Sequence, residues 1–336
     1  MLSASTRLLA AASVALAVSS FGLVLGSCNG GDCGEWKGYS FDPRMRMLTN
    51  KVAVGTGGAL AVQPTHRPMT EYQVRDSGTT EDLLDVWADR NYFDCSYVAV
   101  GRKGAVRVST DEGKHWRAID TSASAADLRG VDVECGMNSY AVAVGDAGAV
   151  VVGSLRGDEP WQVVPAPTSR RLNAVSLAIG GRATAVGEQG LVLHSVDGGM
   201  TWTAVAVNAT EDLLDIEIDW DAGNGYIVGA RGTLLQSGPD GVWTRVETGV
   251  VDDLRQVVDR RGGVRILGDG RLFTWDFTRT GPLVADHELG RPIVAVVSIG
   301  VLAPGGLHPT DTVLALAEEG RLMAYVEPDA CEGLEK

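Results

Sequence analysis

The stretch TAVGEQGLVLHSVDGGMTW, Thr184 to Trp202, contains two short apolar runs separated by a Gly-x-x-Gly turn, and then a second turn that closes on tryptophan. Searching the rest of the chain for this core finds apolar runs ending at Gly55, Gly101, Gly145, Gly187, Gly229 and Gly268, with a glycine-less relative at Ala317 to Gly320. The steps between the seven copies are 46, 44, 42, 42, 39 and 49 residues. A repeat of that length marks a propeller or a solenoid, because each unit is one supersecondary module that cannot bury its apolar faces alone.

Each unit reads as four short strands. The first follows a charged residue and a leucine, as in Asp82-Leu83, Asp127-Leu128, Arg171-Leu172, Asp212-Leu213 and Asp253-Leu254. The second is small and β-branched, such as Tyr97-Val98-Ala99-Val100 or Ala141-Val142-Ala143-Val144, and the third follows the glycine turn, as at Leu191 to Ser195. The fourth opens near Trp116, Trp161, Trp202 or Trp243. Glycine and aspartate between the runs suit hairpin turns that need positive φ. Four antiparallel strands every forty-odd residues is the arithmetic of a β-propeller blade. The fold class is therefore all-β, a seven-bladed propeller. Unit seven stops one strand short after Leu322 to Glu327, while a spare strand, Glu35 to Phe41, precedes unit one near Met45. The N-terminal strand is thus expected to complete the last blade and close the ring.

The first 27 residues stand apart, because Arg7 followed by the uncharged run Leu8 to Ser27 has the layout of a secretory signal. Leu25-Gly26-Ser27-Cys28 resembles a bacterial lipobox, which implies lipidation of Cys28 and an exported protein anchored to a membrane by lipid alone. Asn29 after the cysteine favours the outer membrane in a Gram-negative cell. The domains are then 1–27 signal peptide, 28–34 linker, 35–331 propeller and 332–336 tail. Formal charge is −14, and an acidic surface disfavours nucleic acid. With Cys28 lipidated, four cysteines remain, and the expected pairs are Cys33 with Cys331 at the ring closure and Cys95 with Cys135 in adjacent repeats, one of three possible connectivities.

Two segments fit Ser-x-Asp-x-Gly-x-x-Trp: Ser109, Asp111, Gly113 and Trp116, and Ser195, Asp197, Gly199 and Trp202. They resemble the Asp-box of sialidase-like propellers. The spacing gives them a structural role, with the aspartate accepting from turn amides, glycine taking positive φ and tryptophan burying its ring. Combined with Leu-x-x-Val and Val-Gly-x-x-Gly over residues 36–327, the pattern resembles the photosystem II stability/assembly factor-like (BNR/Asp-box repeat) propellers. That resemblance implies a non-enzymatic exported scaffold that holds partner proteins, here envelope proteins, and a monomer. It also implies an arginine-rich patch, for which Arg129, Arg171 and Arg255, near the starts of their first strands, are the loosely matching positions; solvated rim charges are the simpler account of them.

The rival reading is a carbohydrate-binding propeller or a glycoside hydrolase or sialidase-like enzyme. It needs paired carboxylates or an arginine cluster with Tyr and Glu. Asp85 and Asp215, at equivalent places in blades two and five, could face each other across a ring, although repetition explains them more simply, since equivalent blades repeat equivalent residues. The five histidines have no metal-ligand spacing, Val54-Gly55-Thr56-Gly57-Gly58 lacks the features of a phosphate loop, and a hairpin tip explains Asp219-Trp220-Asp221 better than calcium does. No cofactor or metal is expected. The working surface is expected on the face of the Gly-x-x-Gly turns, where Arg102, Lys103, Asp146, Glu188, Arg231, Asp269 and Glu318 differ from copy to copy.

Overall fold

A computed structural model of the chain describes residues 37–49, 51–64, 71–88, 96–121, 125–136, 139–157, 160–178, 180–219, 223–238, 240–260, 263–276, 281–289, 293–302, 309–319 and 321–326. They form seven four-stranded antiparallel sheets. Blade four shows the pattern: Leu172–Ala178, Arg182–Gly187, Leu191–Ser195 and Thr203–Val205, hydrogen-bonded in chain order. Six blades follow chain order. In the seventh, the N-terminal strand Lys37–Ser40 lies against Arg321–Val326, which pairs with Pro309–Ala317 and then Ile293–Leu302. The register runs from Lys37 opposite Ala324 to Ser40 opposite Arg321. The ring therefore closes as the unpaired strands at the two ends of the sequence require.

Blades hold together by burial between sheets. The second strand of blade two, Tyr97–Gly101, is buried at every position, as a strand sandwiched between neighbouring blades must be. The apolar side chains gather into seven clusters among the described residues, and each cluster joins two adjacent blades. Val98 and Val106 of blade two pack with Leu128, Val133 and Ala141 of blade three. Met45, Leu48 and Ala53 of blade one pack with Ala295, Leu314 and Leu322 of blade seven. Small side chains such as Ala99, Ala143 and Ala185, all fully buried, let neighbouring sheets approach closely.

Every blade carries the same irregularity. The pairing of first and second strands slips by one residue just after the buried Leu, Met or Ile that opens the first strand, as between Leu128 and Gly130 or Leu213 and Asp215. A bulge of this kind re-aims one side chain per blade. Two expectations need correction. The turn of blade six is not Gly-x-x-Gly: Gly268 pairs with Arg271 across a two-residue Asp269-Gly270 turn, with Gly270 at φ 74°, whereas in blade four Gly187 pairs with Leu191 across three. The first hairpin of blade seven also runs longer than its apolar runs, Pro292 to Ser298 and Thr312 to Ala317, suggest, to Leu302 and from Pro309. The signal region, Cys28, Cys33, Cys95, Cys331 and the 332–336 tail lie outside the described residues.

Candidate functional site

The Gly-x-x-Gly turns build one face of the ring. In five blades the third turn residue is left-handed: Gly57 (φ 62°), Lys103 (53°), Ala147 (56°), Gln189 (55°) and Arg231 (53°). In four of these turns its N–H donates to the aspartate that precedes the next blade's opening leucine: Gly57 to Asp82 at 2.8 Å, Lys103 to Asp127 at 2.9 Å, Gln189 to Asp212 at 2.9 Å and Arg231 to Asp253 at 3.1 Å. Each bond ties a hairpin to its neighbour through a charge-assisted contact. The first residue of each such turn needs no side chain, since a Cβ on Gly101 would lie 2.1 Å from the Asp82 carbonyl oxygen.

The first strands line a central channel of about 490 Å³. Bulged positions Leu84, Arg129, Asn173, Leu214, Arg255 and Val294 lie on its wall, and so do Asp85, Asp132 and Asp215. Each of these three carboxylates accepts from its own strand and from the next blade. Asp85 takes the N–H of Val86 and of Val131, both at 2.8 Å. Asp132 takes Val133 at 2.7 Å and Leu177 at 2.6 Å. Asp215 takes Ile216 and Val257, both at 2.9 Å. Gln256 makes the equivalent bond to Val296 N–H at 2.8 Å. Desolvation raises Asp85 to about 6 and Asp132 and Asp215 to about 7, against the pull of these N–H donors. Accessible surface leaves all three partly open to the channel although protein atoms surround them. For all three the net pull is upward, since the charged form loses more solvation than the two N–H donors return.

On the opposite face the two Asp-boxes form matching turns. Ser195 Oγ donates to Asp197 Oδ1 at 2.8 Å and accepts from Gly199 N–H at 3.0 Å; Asp197 accepts from Thr201 N–H at 2.9 Å, and Trp202 Nε1 donates to the Gly199 carbonyl at 2.8 Å. Ser109, Asp111, Gly113 and Trp116 repeat the arrangement, with His115 N–H in place of Thr201. The bonds from Thr201 hold Asp197 down at about 2. The polar groups serve the turn itself, while Trp202 joins the apolar layer between blades three and four and Trp116 packs against that between blades one and two.

The three arginines are separated by the fold. Arg129 and Arg255 stand on the channel wall, whereas Arg171 lies outside it on the blade three–four seam. Arg129 Nε meets Asp146 at 2.5 Å, Arg255 meets Asp269 at 2.8 Å, and Arg171 Nη2 meets Glu188 at 2.9 Å. Of the turn residues, Arg102 reaches Asp82 and Asp127, Lys103 reaches Glu81, and Arg231 reaches Glu211. Cys135, at the end of a blade-three strand, is disulfide-bonded, and Cys95 lies outside the described residues. Among the described residues no group of three His, Cys, Asp or Glu side chains could hold a metal. Asp132 was not distinguishable in the sequence from an ordinary strand aspartate, since it sits two positions later in its strand than Asp85 and Asp215 do in theirs.

Residues 153–251 match the family model described as Photosynthesis system II assembly factor YCF48. No curated protein matches the chain in sequence. Among solved structures, YCF48 from Cyanidioschyzon merolae superposes with a TM-score of 0.65 at 17% identity, over 88% of this chain and 99% of that one. YCF48 bound to D1 peptide gives 0.63 at 16%, over 88% and 98%. Sqt1 of Saccharomyces cerevisiae gives 0.63 at 11%, over 82% and 81%. At such identities the superpositions speak for the fold. With the sequence match through blades four and five, they make this chain a seven-bladed propeller that resembles the photosystem II assembly factor propellers.

Proposed function

We propose that the chain is an exported scaffold, held to a membrane by lipid on Cys28, that binds partner proteins of the cell envelope and has no catalytic role. The observation that carries this reading is the use made of the channel carboxylates. Asp85 and Asp215, the pair a glycosidase would need, each give one oxygen to their own strand and the other to the next blade. A general acid or nucleophile so engaged would have to break an inter-blade contact in order to act. The match to an assembly-factor family over 153–251 and the solved relative bound to D1 peptide point the same way, towards a polypeptide as the bound species. The acidic balance of −14 is consistent with a protein partner rather than nucleic acid.

The working face is the one that carries the Gly-x-x-Gly turns and the channel mouth. Affinity capture from detergent-solubilised envelopes tests the reading: recovery of defined partner proteins is expected, and recovery of none together with hydrolysis of envelope glycans would overturn it. The anchor has its own test, since Cys28→Ala should move the protein from the membrane to the soluble fraction.

A further inference from the structure

The chain enters the ring from the Asp-box side. In blade seven the N-terminal strand Lys37–Ser40 takes the place that the fourth strand holds in the other blades, and fourth strands start at the Asp-box turns, as Thr203–Val205 does directly after Trp202. The register agrees, because Ser40 pairs with Arg321, close to the turn that follows Ala317, and Lys37 pairs with Ala324, farther from it. Lys37 follows Cys28 by nine residues, and an extended chain of that length spans at most about 30 Å. An anchor on Cys28 would thus pull on the Asp-box side of blade seven.

That side differs in chemistry from the other. Of the seven large apolar side chains exposed among the described residues, Val196, Met200 and Val242 stand on the Asp-box turns of blades four and five, exposed by 67%, 45% and 58%. Val251 alone lies beside the Gly-x-x-Gly turns, whose tips in blades two to five carry Arg102 and Lys103, Asp146, Glu188 and Arg231. The Asp-box turn does not itself need the apolar pair. Blade two makes the same turn bonds with Thr110 and Lys114 in the places of Val196 and Met200. Blade four stands three blades from blade seven, as far as a ring of seven allows, and blade five is its neighbour. The entry strand and the apolar tips therefore mark opposite sides of one face.

We propose that the Asp-box face is a lipid-contact surface. Cys28 tethers it at blade seven, Val196, Met200 and Val242 enter the boundary between headgroups and acyl chains at blades four and five, and the ring lies flat with its Gly-x-x-Gly face turned away from the membrane. The proposal rests on the anchored-scaffold reading and deepens it, since the working face is left open to partners. Three side chains would not hold a free protein to a bilayer, but a short tether makes their contact intramolecular and raises the effective concentration of lipid they meet. The contact is apolar: neither Ser195 to Trp202 nor Ser237 to Trp243 contains a lysine or arginine, so anionic lipid gives it no advantage and salt no penalty.

The test places the lipidated chain in phosphatidylcholine vesicles, with an environment-sensitive NBD fluorophore attached through Val242→Cys on the Asp-box face or Lys103→Cys on the opposite one, and the parent carried through labelling as the blank. Flotation reads the anchor, and the fluorophore reads the face. Spin-labelled lipid should quench position 242 at least threefold more than position 103, with blue-shifted emission at 242 alone, and neither high salt nor added phosphatidylglycerol should change this. With the reporter at 242, Val196→Thr/Met200→Lys supplies the residues that blade two already uses in the same turn, so the circular dichroism spectrum should be unchanged while quenching falls at least twofold. Equal quenching at 242 and 103, quenching that the double change leaves unmoved, or quenching that requires anionic lipid would each overturn the lipid-contact face. If the lipidated chain does not float, the anchor reading fails by itself. The face is then read on the same chain held to nickel-chelating lipid by a hexahistidine tag in place of Cys28, with the same outcomes deciding it.

Discussion

Asp215 and Gln256 occupy the same place in successive blades, two residues past the opening leucine, and both accept an N–H from the next blade, at 2.9 and 2.8 Å. One carries a titratable charge and the other does not. Folding lifts the Asp215 carboxyl from 3.8 to about 7, so between those values the folded ring binds the proton and the unfolded chain does not. The stability this contributes is complete below the unfolded value and is lost as pH rises through the folded one. Asp85 and Asp132 act in the same direction. The urea midpoint is therefore expected to fall between pH 5 and pH 8, by an amount equivalent to about 1 kcal/mol per carboxylate once channel water is allowed for. A flat profile over that range would remove the account. Asp215→Gln keeps an oxygen acceptor and discards the charge, as blade six already does. It should flatten the slope by about a third, since three such carboxylates contribute, and raise the midpoint at pH 8. Below pH 4 the opposite group takes over. Glu211, held at about 2 by Arg245, loses its pairing there, so stability should fall again on further acidification.

At the level of the hairpin, two glycines of one turn motif have different reasons to exist. The fourth residue of the blade-four turn, Gly190, sits at φ 68°, and a Cβ there would lie 2.0 Å from the Ala209 carbonyl oxygen. The third residue is left-handed as well, but in blade one a Cβ on Gly57 would meet nothing within 4 Å, and lysine, alanine, glutamine and arginine occupy the equivalent place elsewhere. Gly57→Ala is thus expected to cost at most about 1 kcal/mol, offset in part by lower unfolded-state entropy. Gly190→Ala adds a backbone clash to the same dihedral strain and should cost about 3 kcal/mol or more. Equal melting temperatures for the two variants would contradict this. The sequence shows the Gly-x-x-Gly spacing because turn chemistry is local. It does not distinguish the two glycines, since the carbonyl facing Gly190 comes from the connection that leads from blade four to blade five. For the same reason Asp82, Asp127, Asp212 and Asp253 read from sequence only as charges ahead of a leucine. Their bond to the preceding hairpin exists only once two blades are side by side.

For the whole ring, the seven-fold count and the missing strand were readable because period and strand number survive in a linear text. The Asp85, Asp132 and Asp215 bridges were not, because which backbone N–H each carboxylate meets depends on how far adjacent blades slide. Closure is the property that belongs to the molecule as a whole. Six blades are made of consecutive strands, and only the seventh joins the chain ends, through four residue pairs from Lys37–Ala324 to Ser40–Arg321. Without that strand, Arg321–Val326 becomes an exposed sheet edge while the apolar layer between blades seven and one remains. Removal of residues 28–41 should therefore give a ring that is formed but opens readily and associates through its free edge. Moving the same strand to follow blade seven, with a short linker, should restore a closed monomer, since blades one to six already have that strand order. If Cys33 pairs with Cys331, the bridge closes a loop of nearly the whole chain, and chain entropy allows it about 5 to 6 kcal/mol as an upper figure. The permuted ring loses that constraint but keeps the strand. The two contributions separate when parent, permutant and Cys33→Ser/Cys331→Ser are compared under oxidising and reducing conditions. The expected order of oxidised melting temperatures places the parent above both others, with all three converging on reduction if Cys33–Cys331 is the bridge that reduction breaks. A parent insensitive to reductant would leave the strand alone as the closure of the ring.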